Sequence, residues 1–363
     1  MLLSDQHRAD VLGAAGHPVV LTPSLDALAA EATLFESAYC QGTLCLPARA
    51  SLLTGRYVRD HGVPNNSSRL AGGLHTAVEA LKLVGYHTAA IGDLHLYPPE
   101  VTDGQVRMRD YGFAEVRQIS GKAALGMDAW AGEQAVRWIE SAERRSPFFV
   151  WIGFPGPRDP WDAPVDVADA SRKYFANLTT LDVAIGRVVE ALRSCQLLDS
   201  SWIIYTSDHG EMLGSHGLFG SKVFYEAAVR VPMIIRPPGG GPHRKFSDLV
   251  EHVDLSATML DIAGARPASG APGRTLADIA EGSRATGRSV VVSEILGFGM
   301  WRTERHKLVV RERGESPVQF FDLVNDPDEE HNLVSDPDSG DLIGDLMHDY
   351  VHRFLASSPF RPR

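Results

Sequence analysis

Leu44-Cys45-Leu46-Pro47-Ala48-Arg49-Ala50-Ser51-Leu52-Leu53-Thr54-Gly55-Arg56 is the stretch around which the rest of the chain is arranged. Its spacing predicts a cysteine on a loop and a proline in the first turn of a short helix, where a missing N–H costs nothing. Gly55 then closes the helix in a left-handed conformation. Arg49 falls one turn beyond Cys45 on the same side. Cys45 would face the helix N-terminus, where unpaired N–H groups and the helix dipole favour an anion. A nucleophile placed between a cation and a helix start suits a reaction on an anionic ester.

Outward from this helix, several apolar runs read as buried strands that end in polar residues, the edge at which open α/β sheets bind ligands. Ser201 to Thr206 runs straight into Ser207-Asp208-His209-Gly210-Glu211. Adjacent aspartate and histidine after a buried strand, with Gly210 and Gly214 permitting tight turns, form a natural metal-binding loop. Leu2-Leu3-Ser4 leads to Asp5 and Gln6, although four residues make a short buried strand, so either the strand is short or its start lies upstream. His87 to Ile91 leads to Gly92-Asp93-Leu94-His95, and Phe148 to Phe154 leads to Pro157-Arg158. Thr22-Pro23 opens a helix expected to reach about Phe35, and Thr76 with Glu79 forms a capping box. Residues Asp128 to Ala142 read as helical. Val167 to Arg193 reads as a long amphipathic helix with Leu178, Leu181, Ile185, Val188 and Leu192 on its apolar side. Asp254 or Ser256 caps a further helix to about Ala263. Strands at Ser289–Ser293, Met300–Arg302 and Lys307–Arg311 precede a terminal helix at Gly340–Phe354.

Composition narrows the partners. The chain has 363 residues, 44% hydrophobic and 22% charged, ordinary values for a globular protein with a large core. A formal net charge of −11 argues against nucleic acid and against an anionic membrane surface. Any anionic substrate must therefore be drawn by a local cationic pocket. Three cysteines (Cys40, Cys45, Cys195) make no disulfide framework, though Cys40 and Cys45 could pair. No run is long and apolar enough for a membrane span, and no basic segment precedes an apolar one as in a signal peptide, so a cytoplasmic location is expected. Oligomeric state is left open, a homo-oligomer included.

The C-x-P-x-R pattern of Cys45, Pro47 and Arg49, together with the Ser207–Gly217 run, resembles the signatures of the sulfatases, a branch of the alkaline-phosphatase superfamily that also holds the phosphonate monoester hydrolases. The resemblance implies a mostly parallel central sheet flanked by helices in a catalytic domain over residues 1–287. A small C-terminal β-sheet and terminal helix would follow over 288–363. It implies that a formylglycine-generating enzyme oxidises Cys45 to formylglycine, whose hydrate acts as the nucleophile. Asp5, Gln6, Asp208 and His209, with the Cys45 side chain, would hold one divalent cation, Ca²⁺ first and Mn²⁺ or Mg²⁺ as alternatives. Arg49 would fix the diol and Asp208 would take its proton. His95, Arg158 and Lys222 would hold the oxygens of a small anionic ester. Three positions depart from the family pattern. Asp93 stands where a lysine is usual, Arg158 where a histidine is usual, and the lysine that precedes Phe224-Tyr225 is one residue late, Ser221 holding its place. Gln6 replaces a second aspartate, as in the phosphonate hydrolase branch. The expected activity is sulfate ester hydrolysis of arylsulfatase type. The same machinery acting on phosphonate monoesters or phosphodiesters is the first alternative, and a weakly active or inactive anion-binding relative the second.

Overall fold

The computed structural model describes residues 1–71, 73–96, 108–119, 126–141, 147–158, 166–283, 285–311 and 316–357. Among these residues, nine strands form the main sheet: β1 (Leu2–Asp5), β2 (Thr33–Tyr39), β3 (His87–Gly92), β4 (Glu115–Gln118), β5 (Phe148–Pro157), β6 (Ile203–Ser207), β7 (Arg230–Arg236), β8 (Arg244–Phe246) and β9 (Val250–Glu251). Their order is β4-β3-β5-β1-β6-β7-β2-β8, with β9 also pairing with β2. From β4 to β6 all neighbours are parallel, whereas β7 runs antiparallel to both β6 and β2. The short β1 lies at the centre, Leu2 opposite Ile152 on one side and Tyr205 on the other.

Successive side chains of a strand point to opposite faces, so Leu2 and Leu3 enter two different cores. The Leu2 core is roofed by the helices Met127–Glu140 and Val167–Ser194. The latter starts where Asp166 Oδ1 accepts from the Asp169 N–H at 2.7 Å, and it buries Leu178, Leu181, Ile185, Val188 and Leu192. Each such side chain removed from water contributes about 2 kcal/mol. The Leu3 core is covered by the helices Cys45–Thr54 and His252–Ile262. A second sheet follows, an antiparallel meander of β10 (Val290–Ile295), β11 (Phe298–Thr303), β12 (His306–Arg311) and β13 (Pro317–Asp322). The terminal helix, Gly340–Leu346 and its continuation to Ser357, packs Ile343, Leu346 and Val351 onto it. No helix among the described residues is long and apolar enough to cross a membrane.

The expected elements are present, with three corrections. The helix opened by Pro23 ends at Ala30, and Thr33–Tyr39 is a strand. The β-branched and aromatic run there pairs antiparallel with β7, a partner some 200 residues away that local spacing does not reveal. Glu251, not Asp254 or Ser256, caps the His252 helix; Asp254 sits in its first turn and completes a capping box with Glu251. Cys45 is itself the first residue of its helix instead of a loop residue before it.

Candidate active site

Four parallel neighbours, β3, β5, β1 and β6, present their C-terminal ends along one edge, and each delivers a charged residue there. Asp93 follows β3, Arg158 follows β5, Asp5 ends β1 and Asp208 follows β6. The helix Cys45–Thr54 brings Cys45 and Arg49 to the same place, both buried. Asn66 supports its start by accepting from the Leu46 N–H at 3.0 Å. At the other end Gly55 adopts φ 63°, as expected of the closing residue.

Arg49 is the hub. Its Nη2 donates to Asp5 Oδ2 at 2.8 Å, its Nε to Asp208 Oδ2 at 2.9 Å and its Nη1 to the Asp93 carbonyl at 3.2 Å, with no side-chain exposure. Arg158 adds a second guanidinium on Asp5 Oδ2, at 3.0 Å. Asp208 Oδ1 accepts from the Gln6 N–H at 3.1 Å and the His209 N–H at 2.9 Å. Burial works against the Asp208 carboxylate, but His209, Arg49 and these donors together hold its pKa below the usual value.

Asp5, Cys45, Asp208 and His209 each place one candidate ligand atom within 4.8 Å of all the others. His209 Nδ1 lies 2.9 Å from the Gly210 carbonyl, which can only accept, so Nδ1 carries the proton and Nε2 is free to ligate. Cys45 Sγ is 3.3 Å from that Nε2 and 3.8 Å from Asp5 Oδ1. Gln6 fits the same reading: its Oε1 is buried with no hydrogen-bond partner. Its backbone is held at φ 68°, with Asp208 on its N–H and the Tyr174 hydroxyl donating to its carbonyl at 2.6 Å. Carboxylate oxygens, an amide oxygen and one imidazole nitrogen fit a hard divalent cation. Burial first, then the neighbouring Asp5 and Asp208, push the Cys45 thiol well above its ordinary pKa.

His95 stands beside this cluster at φ 35°. Burial first, then Arg49, lowers its pKa despite the nearby Asp93 and Asp5, so it is a neutral imidazole at neutral pH. Lys222 is exposed. Ser221 turns inward and donates to the Thr43 carbonyl at 2.8 Å, which directs Lys222 to solvent. Tyr174, which orients Gln6, has no sequence signal; it is an ordinary helix residue until the fold places it.

A sequence model of the sulfatase family matches residues 1–265, and one for the C-terminal region of N-sulphoglucosamine sulphohydrolase matches residues 214–354. The chain belongs to the sulfatase family of the alkaline-phosphatase superfamily, and with it to the sulfuric ester hydrolases. It is 25% identical to an arylsulfatase of Clostridium perfringens, covering 98% of this chain and 92% of that protein. It is also 25% identical to a choline-sulfatase of Rhizobium meliloti, with 87% and 78% covered. Its fold matches the crystal structure of a phosphonate monoester hydrolase of Agrobacterium radiobacter with a TM-score of 0.84 at 22% identity, over 98% of this chain and 94% of that one.

Proposed function

We propose that this protein releases sulfate from small sulfate esters, using a formylglycine made from Cys45 by a formylglycine-generating enzyme. One divalent cation, Ca²⁺ before Mn²⁺ or Mg²⁺, would be held by Asp5, Gln6, Asp208 and His209 together with the modified side chain. The observation that carries this reading is the convergence of Asp5, Asp208 and His209 on Cys45, a buried cysteine inside a C-x-P-x-R pattern. When bound, the cation would supply Lewis acidity, polarising the ester and favouring the deprotonated nucleophile. The hydrated aldehyde would supply two hydroxyls on one carbon, one to attack sulfur and one to let the covalent ester break down.

The remaining steps fall to the side chains. Arg49, tied to two carboxylates and a carbonyl, fixes the spacing of the ligand set and has little rotational freedom left. Asp208 is the acceptor for the nucleophile's proton. Arg158 is one-quarter exposed and offers further N–H groups besides the one on Asp5, which suits it to grip a sulfuryl oxygen as charge develops. His95 completes the grip as a neutral donor. Gln6 sits equally well with the phosphonate and phosphodiester alternative, so the test is a panel. Protein produced together with a formylglycine-generating enzyme, loaded with Ca²⁺, should turn over aryl sulfates faster than phenylphosphonate monoesters and phosphodiesters. Faster turnover of the phosphorus esters would favour the alternative, and turnover of none would favour an anion-binding relative.

A further inference from the structure

Beyond Gly153, β5 leaves the regular ladders on both of its sides. Its registered pairs with β3 stop at Gly92 opposite Gly153. With β1 they jump from Leu3 opposite Gly153 to Asp5 opposite Pro157, so a step of four residues on β5 answers a step of two on β1. Such a bulge leaves backbone groups in need of other partners. Pro155 and Pro157 have no N–H, so between Phe154 and Arg158 the one backbone donor belongs to Gly156. Gly156 is buried, and its N–H donates to Asp128 Oδ1 at 3.0 Å. Asp128 is a buried residue in the first turn of the helix Met127–Glu140.

The contact is close. A Cβ at Gly156 would stand 2.4 Å from Asp128 Oδ2, so the absence of a side chain there lets the carboxylate lie against the backbone. The Asp128 helix packs on β5 and on the helix Val167–Ser194, which makes its first turn a firm anchor. Two residues after Gly156, Arg158 turns from the sheet into the site. Its Nη1 donates to Asp5 Oδ2 at 3.0 Å, and its carbonyl accepts from Asn177 Nδ2 at 3.4 Å. Arg158 is thus held at its carbonyl, at one nitrogen of its guanidinium and, through Gly156, at the chain that leads to it.

Resting on the reading of Arg158 as a group that grips the ester's anionic oxygens, we propose that Asp128 is a positioning residue for that grip. By holding the Gly156 N–H, it sets the direction in which Arg158 leaves β5 and where its remaining N–H groups point. Without the carboxylate, the buried Gly156 N–H has to turn towards another acceptor, and Arg158 turns with it. Asp128 itself does not meet the substrate. Its role asks only for an acceptor oxygen in the place of Oδ1, charged or neutral. A bond lost at Asp128 is therefore felt through Arg158.

The test reads the affinity for an inert anion, benzenesulfonate, titrated calorimetrically into the full-length, Ca²⁺-loaded protein. Arg158→Ala should weaken binding by about tenfold or more, the loss expected for a charge-assisted hydrogen bond. Asp128→Ala should weaken it by about fivefold or more, because the same bond is misaligned. Asp128→Ser keeps a polar residue in the first turn but is a bond too short to reach the Gly156 N–H. It should behave as Asp128→Ala does, and it carries the test if the alanine variant fails to fold. Asp128→Asn, whose amide oxygen still accepts, should stay within about twofold of wild type. The double variant Asp128→Ala/Arg158→Ala should bind within about twofold of Arg158→Ala alone. A role confined to helix stability would instead lower the unfolding midpoint and leave the affinity of Asp128→Ala and Asp128→Ser at the wild-type value. That result, a loss in Asp128→Asn equal to that in Asp128→Ala, or a further loss of about fivefold in the double variant, would overturn the proposal. Benzenesulfonate is not hydrolysed, so a protein that binds it in the expected pattern yet turns over no sulfate ester would refute the hydrolase reading alone. An unchanged affinity in Arg158→Ala would remove the grip, and the proposal with it.

Discussion

Arg49 is the side chain on which the geometry of the site turns. It is fully buried, and its three bonded nitrogens point to Asp5, Asp208 and the Asp93 carbonyl from one rigid plane. A lysine has a single ammonium on a flexible stem and cannot span two carboxylates and a carbonyl in this way. Arg49→Lys should therefore lower kcat by about 10²-fold or more while the protein stays folded, because positioning is lost and charge is kept. Stopped assays alongside circular dichroism check this. Arg49→Ala should instead destabilise the fold by about 3–5 kcal/mol, since buried Asp208 loses its guanidinium partner and Asp5 keeps only Arg158. At this scale the sequence was most informative. Asp5, Asp208 and His209 follow apolar runs directly, and Cys45 and Arg49 share a helix start, so their meeting follows from local pattern plus one sheet. Asp93 and Arg158 were visible as departures, but their opposite signs at the mouth of one site depend on adjacent strands 65 residues apart in sequence. The one-residue offset of Lys222 was visible in the sequence, but that Ser221 is the residue turned inward depends on which side chain finds an acceptor, here the Thr43 carbonyl.

At the scale of elements, the loop after β6 decides whether the ligands converge. The Gly210 and Glu211 N–H groups donate to the carbonyls of Ala228 and Ala227 at 2.8 and 2.9 Å, pressing the loop against the segment Glu226–Val229. A Cβ on Gly210 would stand 2.0 Å from the Ala227 carbonyl oxygen, and backbone cannot yield as a flexible side chain can. Gly210→Ala should therefore displace His209 and weaken Ca²⁺ binding by about tenfold or more, read by calorimetry, at a stability cost of about 1–3 kcal/mol. An unchanged calcium affinity would show that the loop tolerates the shift. The one element misjudged in kind is instructive. Thr33-Leu34-Phe35 continues the apolar pattern of the Pro23 helix, and only pairing with β7 makes it a strand.

For the whole molecule, the junction between the two sheets rests on a buried lysine. Lys307 of β12 is fully buried, pairs with Glu226 at 2.8 Å and Glu329 at 2.6 Å, and donates to the Phe224 carbonyl at 2.8 Å. Lys307→Met leaves both carboxylates without their shared cation and should cost about 3–5 kcal/mol in urea unfolding. Stability should also depend on acid in a definite direction. Burial holds His7, His61 and His252 at pKa values of about 4, 3 and 3, against an ordinary 6.5, so below pH 6.5 the unfolded chain takes up protons that the folded one refuses. Burial raises Asp128 to about 6 and Glu251 to about 7, and these two work the opposite way. The Met1 amino group, lowered by burial to about 5, adds to the imidazoles, so unfolding takes up protons on balance near pH 5.5 and stability falls as the pH is lowered. Unfolding curves at pH 6 and 5 check the sign, and a gain in stability on acidification would contradict it.

The central claim, that a modified Cys45 on a metal-holding edge hydrolyses sulfate esters, is tested most directly by sulfate release from an aryl sulfate. Protein made with a formylglycine-generating enzyme would be assayed beside Cys45→Ala, with the mass of the tryptic peptide bearing residue 45 measured on the same samples. The account predicts a mass loss matching thiol-to-aldehyde conversion, turnover in proportion to the converted fraction, and a fall of about 10³-fold or more in the variant. Full turnover by Cys45→Ala, or by protein whose thiol is unmodified, would contradict it.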